Sequence, residues 1–132
     1  LRFGMLPLRY ARTWLVAGLV LLAFGLVSAL SPVPAVVGAV FNDKLLHATG
    51  FLVFMLWFGG VIEARFAPFL VVGLSSYGLL IELLQSLTPA RQAEVLDLVA
   101  DVAGVLLGWV LSAAGFSRWC VKLESWFARL KP

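Results

Sequence analysis

Four long apolar runs, separated by short polar breaks, dominate the amino-acid sequence. A membrane-spanning helix needs about 20 predominantly apolar residues, with about 17–25 tolerated, and each run is long enough. Short connections between successive helices favour neighbours that run in opposite directions. We therefore predict one all-α integral membrane domain over residues 1–132, built as an antiparallel four-helix transmembrane bundle. The predicted spans are residues 13–30, 45–62, 67–87 and 96–114.

The composition favours a membrane protein over a water-soluble one. The chain is 62% hydrophobic and 13% charged, and its mean hydropathy is +1.02. Soluble proteins are typically about 45–50% apolar and about 25% charged, and a small domain cannot bury such an excess. These values exclude a disordered chain and a soluble enzyme. The single cysteine, Cys120, excludes a disulfide-stapled secreted domain.

Three flanking segments carry further predictions. Arg2, Arg9 and Arg12 before the first apolar run would also suit a signal peptide, but the run is long for one, and we predict a true span. Residues 33–41 are apolar but short, which suits an interfacial or re-entrant piece. Residues 116–131 are amphipathic, and we predict a helix that lies in the headgroup region with its basic groups toward anionic lipid.

The basic residues predict the orientation of the bundle. Lys and Arg near span ends accumulate on the cytoplasmic side of a membrane. An even number of spans places both termini on one side, and all ten basic residues except Lys44 and Arg91 lie on that side. We therefore predict cytoplasmic N- and C-termini. The net charge of +3 then serves insertion and lipid contact, and we predict no nucleic-acid partner.

The polar residues near the other ends of the spans form a candidate site. Glu82 lies about 7–8 Å below the predicted end of its helix, and Asp101 lies at a comparable depth. A charge inside a span costs about 2.5–3.5 kcal/mol, so an acid there is functional by default. Spacings of three and four residues place the members of each span on one helix face. We expect one non-cytoplasmic cavity lined by Asp43, Lys44, His47, Glu82, Gln85, Arg91, Asp97 and Asp101.

These residue types suit two kinds of chemistry. Glu82, His47, Asp97 and Asp101 are candidate catalytic residues, because close carboxylates beside an imidazole can transfer protons or hold a divalent cation. One histidine with several carboxylates suits Mg²⁺, Ca²⁺ or Mn²⁺ better than Zn²⁺. No other cofactor is predicted.

The remaining residues are candidates for binding a substrate. Lys44 and Arg91 suit an anion such as a phosphate, and we group Gln85 and Asp43 with them. The alternative is a purely structural network. That network would tie the four helices together; taken singly, Asp43 and Lys44 would be a solvated loop pair, His47 would lie at the interface, and Gln85 would bond a neighbouring helix.

Three groups of residues keep a fixed order and spacing: Asp43, Lys44 and His47, then Glu82, Gln85, Pro89 and Arg91, then Asp97, Asp101, Gly104 and Gly108. This series resembles the motifs of VanZ-like membrane proteins and covers about half of the chain. The one departure is Asp101, which stands where the family commonly has Asn. VanZ-like proteins are small bacterial membrane proteins, and the founding member is associated with resistance to the glycopeptide teicoplanin.

The resemblance implies a protein of the bacterial cytoplasmic membrane that affects teicoplanin susceptibility. Together with the basic residues, it implies that the protein acts on or binds an anionic amphiphile, such as a lipid-linked cell-envelope precursor. Its expected partners are membrane lipids and that precursor or a glycopeptide. Non-catalytic lipid or antibiotic binding, modulation of an envelope enzyme, and a small oligomeric transporter are the alternatives.

Overall fold

A computed structural model describes residues 3–32, 37, 40, 42–89 and 93–132. All regular elements within these ranges are helical, which confirms the predicted all-α class. The predicted interfacial segment at 33–41 lies almost wholly outside the described residues. Arg91, a predicted substrate-binding residue, also lies outside them.

Four of the helices are long and apolar enough to span a membrane, as the apolar runs predicted. Their number, length and composition indicate a multi-pass membrane protein. A fifth, shorter helix follows a wide turn at Ser112–Phe116. The α-helices of the described ranges, numbered in chain order, are α1, Ala11–Leu30; α2, Asp43–Val61; α3, Ala67–Ser86; α4, Val95–Leu111; and α5, Trp119–Leu130.

Local sequence explains several helix ends. The Asn42 side chain caps α2 by accepting a hydrogen bond from the Lys44 N–H at 2.9 Å. Pro68 lies in the first turn of α3, where its missing N–H costs no hydrogen bond. The wide turn after α4 contains Gly115 at φ +134°, a conformation that glycine adopts without strain from a Cβ atom.

Two glycines bring α2 and α4 into backbone contact. A Cβ atom at Gly104 would lie 2.2 Å from the Ala48 carbonyl oxygen, and one at Gly108 would lie 2.7 Å from the Met55 Cβ. Small residues permit such close approach between helices. Ala48 precedes Met55 in α2 as Gly104 precedes Gly108 in α4, so the N-terminal ends of the two helices lie at the same end of the bundle.

The other long helices pack around this pair. Gly18 of α1 lies against the Phe58 ring of α2. Gly25, about two helical turns further along α1, lies against the Phe54 ring of α2. Later residues of α1 thus contact earlier residues of α2. The buried core that joins the helices consists of Phe51, Phe54, Met55, Ala67, Leu74, Ile81 and Val105.

The N-terminal segment and α5 cover the end of the bundle at which α2 ends. The Leu6 N–H donates to the Val61 carbonyl oxygen at 2.9 Å, and the Trp119 indole N–H donates to the Leu56 carbonyl oxygen at 2.7 Å. Burial raises the pKa of the Cys120 thiol at this end to about 12. Three indole rings pack together here, those of Trp14, Trp57 and Trp119. We call this region the Trp119 end.

The outward face of α1 carries large apolar side chains that no other part of the described structure covers. They are more than half exposed, which water would penalise and hydrocarbon would not. This face therefore suits contact with lipid tails. Its members are Val16, Leu19, Val20, Phe24 and Val27.

Candidate functional site

The N-terminal ends of α2 and α4 and the C-terminal end of α3 meet around the His47 side chain. Most of the polar residues selected from the sequence come together here, joined by Glu94. We call this group the His47 cluster. Its described members are Asp43, Lys44, His47, Glu82, Glu94, Asp97 and Asp101.

The imidazole of His47 lies between carboxylates on both sides. Its Nδ1 atom is 2.7 Å from Oδ1 of Asp101, which is a hydrogen-bonding distance. Its Nε2 atom is 3.7 Å from Oδ2 of Asp97 and 3.9 Å from Oδ2 of Asp43. The side chain is only 8% exposed. The Asp101 carboxylate therefore holds the ring, and Nε2 faces two further acids.

Lys44 bridges two acids at the start of α4. Its ammonium group donates to Oε2 of Glu94 at 2.7 Å and to Oδ1 of Asp97 at 2.9 Å. Glu94 was not selected from the sequence, although it lies three residues before Asp97 and so shares its side of the helix start. This three-residue spacing is the sequence feature from which Glu94 could have been identified.

Glu82 is buried in the C-terminal part of α3, with 7% of its surface exposed. Its Oε2 atom accepts a hydrogen bond from the Glu94 N–H at 3.0 Å, so it bonds the start of α4. Its Oε1 atom has no hydrogen-bond partner among the described residues. A buried polar atom without a partner costs about 1–3 kcal/mol, so this oxygen has a strong tendency to bind a donor or a cation.

Asp101 is fully buried and repeats this pattern. Its Oδ1 atom faces His47, whereas Oδ2 has no partner within the described part of the chain. Oδ2 points toward α3, because a Cβ atom added to Gly78 would lie 2.9 Å from it. Glu82 is one helical turn beyond Gly78 on the same face of α3. Glycine at position 78 thus leaves room for the Asp101 carboxylate beside Glu82.

Gln85 is buried, and its side-chain amide makes a hydrogen bond outside the His47 cluster. Its side-chain amide donates to the Ala29 carbonyl oxygen at 2.8 Å and so joins α3 to α1. The Tyr77 hydroxyl donates to the Leu22 carbonyl oxygen and makes a second link between the same helices. This geometry agrees with the structural interpretation of Gln85, and its role in substrate binding stays a prediction.

Carboxylates outnumber basic side chains in the described His47 cluster. The basic members are Lys44 and His47, and close like charges in a poorly hydrated site disfavour full ionisation. Protons or a cation would relieve this repulsion. The acidic members are Asp43, Glu82, Glu94, Asp97 and Asp101.

A cavity of about 730 Å³ lies between α1 and α2 and reaches the His47 cluster. Its walls are mainly apolar side chains of the two helices, and Leu21 and Phe54 lie toward one end. Asp43 and His47 lie toward the other end. The distance along α2 from Asp43 to Phe54 is about 16 Å at 1.5 Å per residue. The cavity is therefore apolar along its length and polar at one end.

Among the residues that the structure describes, two groups of side chains could hold a metal ion. Each group offers three ligand atoms that lie within 4.8 Å of one another, and His47 belongs to both. One group adds Asp43 and Asp97, and the other adds Glu82 and Asp101.

Comparison with family models, with curated proteins and with solved structures gives no match to this chain. The VanZ-like resemblance therefore remains a hypothesis that depends on the motif residues.

Proposed function

We propose that this chain is a VanZ-like multi-pass membrane protein that binds an anionic amphiphile, such as a lipid-linked cell-envelope precursor. The tail occupies the cavity between α1 and α2, and the head lies against the His47 cluster. One observation carries this proposal: the apolar cavity is continuous with a polar cluster at one of its ends. An amphiphile has the same division into apolar and polar parts.

The size of the cavity supports a ligand of this kind. Small-molecule sites are typically about 300–1,000 Å³, and the cavity of about 730 Å³ falls within that range. Its wall includes Gly50, where a Cβ atom would meet nothing within 4 Å, so this part of the cavity is open. A chain-like tail fits a cavity that follows two helices.

Lys44 supports an anionic head. An ammonium group has three N–H donors, and two of them bond Glu94 and Asp97 in the described structure. We assign the third to a phosphate oxygen of the head group, because the Lys44 side chain is 36% exposed and follows Asp43, which lines the polar end of the cavity. Arg91, from the connection between α3 and α4, is the proposed second contact.

His47 is the proposed link between binding and chemistry. It lines the cavity, and its contact with Asp101 orients the ring. A histidine held by a carboxylate is suited to exchange a proton with a bound head group, with Glu82 and Asp97 nearby. The non-catalytic alternative uses the same contacts without turnover, and detection of a product separates the two.

The membrane arrangement belongs to the same proposal. We place the four long helices as an antiparallel bundle in the bacterial cytoplasmic membrane, with both termini cytoplasmic and the His47 cluster facing outward. The contacts of α1 with α2 support this arrangement, as does the distribution of basic residues. For α5, the exposed side chains of Phe127 and Leu130 support contact with the headgroup region.

The test is a binding measurement on detergent-solubilised protein with a long-chain polyprenyl phosphate and the matching polyprenol. We expect the phosphate to bind at least about tenfold more tightly, because a charge-assisted contact contributes more than about 1.4 kcal/mol. Native mass spectrometry measures the bound fraction, and the same samples reveal any product.

A pair of glycine variants locates the tail. Gly50→Leu fills the cavity, and we expect it to weaken phosphate binding at least about tenfold through steric conflict. Gly73→Leu is the matched control, because Gly73 also has nothing within 4 Å of its would-be Cβ but does not line the cavity. Equal binding of the polyprenol, or unchanged binding by Gly50→Leu, would contradict the proposal.

Teicoplanin susceptibility tests the proposed assignment to the VanZ-like family. Expression in a glycopeptide-sensitive bacterium is expected to lower teicoplanin susceptibility, and Arg91→Ala is expected to abolish that effect. Unaltered susceptibility on expression of the folded protein would argue against a VanZ-like role.

A further inference from the structure

We infer that Glu82 and Asp101, with the imidazole of His47, form a binding site for one divalent metal ion between α2, α3 and α4. The inference is independent of the amphiphile, because it depends on the ligand atoms alone. The three side chains offer atoms that all lie within 4.8 Å of one another. Three different helices supply them, so the ion would join helices that otherwise meet through apolar packing and a few polar contacts.

Two orphan oxygen atoms point to a ligand at this position. Oε1 of Glu82 and Oδ2 of Asp101 are buried and have no hydrogen-bond partner among the described residues. Glu82 is 7% exposed and Asp101 is 0% exposed, so bulk water does not satisfy them. Oδ2 of Asp101 faces the side of α3 that carries Glu82, as its proximity to Gly78 shows. Oδ2 of Asp101 thus faces the space between α3 and α4, and the other oxygen of Glu82, Oε2, bonds the Glu94 N–H at the start of α4.

The separation of the three ligand groups is close to the separation that one bound ion requires, and the shortest of these contacts, His47 Nδ1 to Asp101 Oδ1 at 2.7 Å, is a hydrogen bond that the ion would replace. Two ligand atoms bound about 2.1 Å from one ion lie at most about 4.2 Å apart. Side-chain shifts of less than about 1 Å therefore gather the three groups around an ion.

The neighbouring group, Asp43 with His47 and Asp97, is the poorer site. Oδ1 of Asp97 already accepts a hydrogen bond from the Lys44 ammonium at 2.9 Å. That positive charge would repel a metal ion bound beside it. Glu82 and Asp101 have no lysine contact in the described structure, so the cation is favoured there.

The donor set defines the class of metal. Carboxylates suit Mg²⁺, Ca²⁺ and Mn²⁺, whereas imidazole suits later first-row ions. Mn²⁺ is a divalent ion of the first row that accepts oxygen ligands readily, and it serves as the probe. Charge supports a divalent ion as well, because two carboxylates and one M²⁺ are neutral together, and a neutral site is less costly in a membrane interior.

The experiment uses the full chain in detergent micelles after treatment with a chelator. Mn²⁺ is titrated in, and the loss of the free-ion electron paramagnetic resonance signal measures binding. We expect one bound equivalent, with affinity reduced at least about tenfold in Glu82→Gln and in Asp101→Asn. Glu63→Gln is the matched control, because Glu63 pairs with Arg65 at the far end of α2.

A measurement on the unaltered protein covers the case in which a variant does not fold. Pulsed electron paramagnetic resonance of bound Mn²⁺ is expected to show coupling to an imidazole nitrogen, and the chain contains a single histidine, His47. Absence of stoichiometric binding, binding without nitrogen coupling, or equal binding by both folded acid variants would overturn the inference. If Mn²⁺ does not bind stoichiometrically, a proton shared by Glu82 and Asp101 would explain how the two buried carboxylates lie close together.

Discussion

Each end of the bundle holds a glutamate against a neighbouring element, and the two carboxylates differ in how they are satisfied. At the Trp119 end, Glu124 accepts hydrogen bonds from the N–H groups of Arg9 and Tyr10 at 2.7 and 3.0 Å, and from the Trp14 indole at 2.7 Å. At the other end, Glu82 accepts one hydrogen bond and keeps Oε1 without a partner among the described residues.

This difference separates a structural carboxylate from an available one. Both oxygens of Glu124 receive donors from the N-terminal segment and α1, which fastens α5 to the bundle. The His47 cluster depends instead on backbone contact between α2 and α4 at Gly104. Two of its carboxylate oxygens, Oε1 of Glu82 and Oδ2 of Asp101, have no hydrogen-bond partner among the described residues. The carboxylate that contributes to stability and the carboxylate that is available for binding are therefore expected to lie at opposite ends of the molecule.

The largest expected effect tests how the cluster end is held together. Gly104→Ala places a Cβ atom against the Ala48 carbonyl oxygen, and we expect it to lower the free energy of unfolding by about 3 kcal/mol. Gly50→Ala has nothing within 4 Å, and we expect no loss and a gain of up to about 1 kcal/mol. Denaturant unfolding in micelles, followed by tryptophan fluorescence, compares them. Equal stability of the two variants would show that the glycine contact does not hold this end.

The next effect tests the structural carboxylate. Glu124→Ala removes three hydrogen bonds to a charged group, and we expect a loss of about 2 kcal/mol because water replaces part of them. Glu63→Ala breaks an exposed pair with Arg65, and we expect at most about 1 kcal/mol. The same unfolding assay applies. A loss at Glu63 equal to that at Glu124 would remove the contrast between the ends.

The pH dependence of stability tests the structural role of Glu124. Burial alone would raise the pKa of Glu124, but hydrogen bonds from the backbone of Tyr10 and Arg9 and from the Trp14 indole hold the pKa below its ordinary value of 4.5. A lowered folded pKa stabilises the protein above the ordinary value, and the contribution disappears as pH falls through the folded value. The stability difference between wild type and Glu124→Gln should therefore be constant near neutral pH and shrink below about pH 4.5. A difference that grows on acidification would reverse the assigned sign.

The smallest expected effect tests the available carboxylate. Glu82→Gln keeps an acceptor for the Glu94 N–H and removes a buried charge, so we expect stability to change by less than about 1 kcal/mol. The same variant is expected to lose metal affinity, which separates its role from that of Glu124. A destabilisation of 2 kcal/mol or more, on the order expected for a lost structural contact, would assign Glu82 to the structural class.

The apolar pattern was sufficient to predict the four long helices, because each must be about 20 residues long to cross a bilayer. Helix spacing also predicted that Glu82 and Asp101 lie at one level, and the structure places their oxygens within 4.8 Å of each other and of His47. The pattern did not reveal Glu94 as a partner of Lys44, because a polar residue just before a helix is common. The pattern did not reveal the role of Glu124 either, because its partners, the N–H groups of Arg9 and Tyr10 and the Trp14 indole, lie far away in the chain.

By itself, the sequence determined which segments are apolar enough to cross a membrane and which charged residues interrupt them. Hydropathy is a property of each segment alone, so no knowledge of packing is needed for it. Only the tertiary structure decided which carboxylate oxygens receive donors. That outcome depends on how far α2, α3 and α4 approach and rotate about one another, and the approach depends on small residues such as Gly78 and Gly104. The same acid is therefore a structural contact at position 124 and an available ligand at position 82.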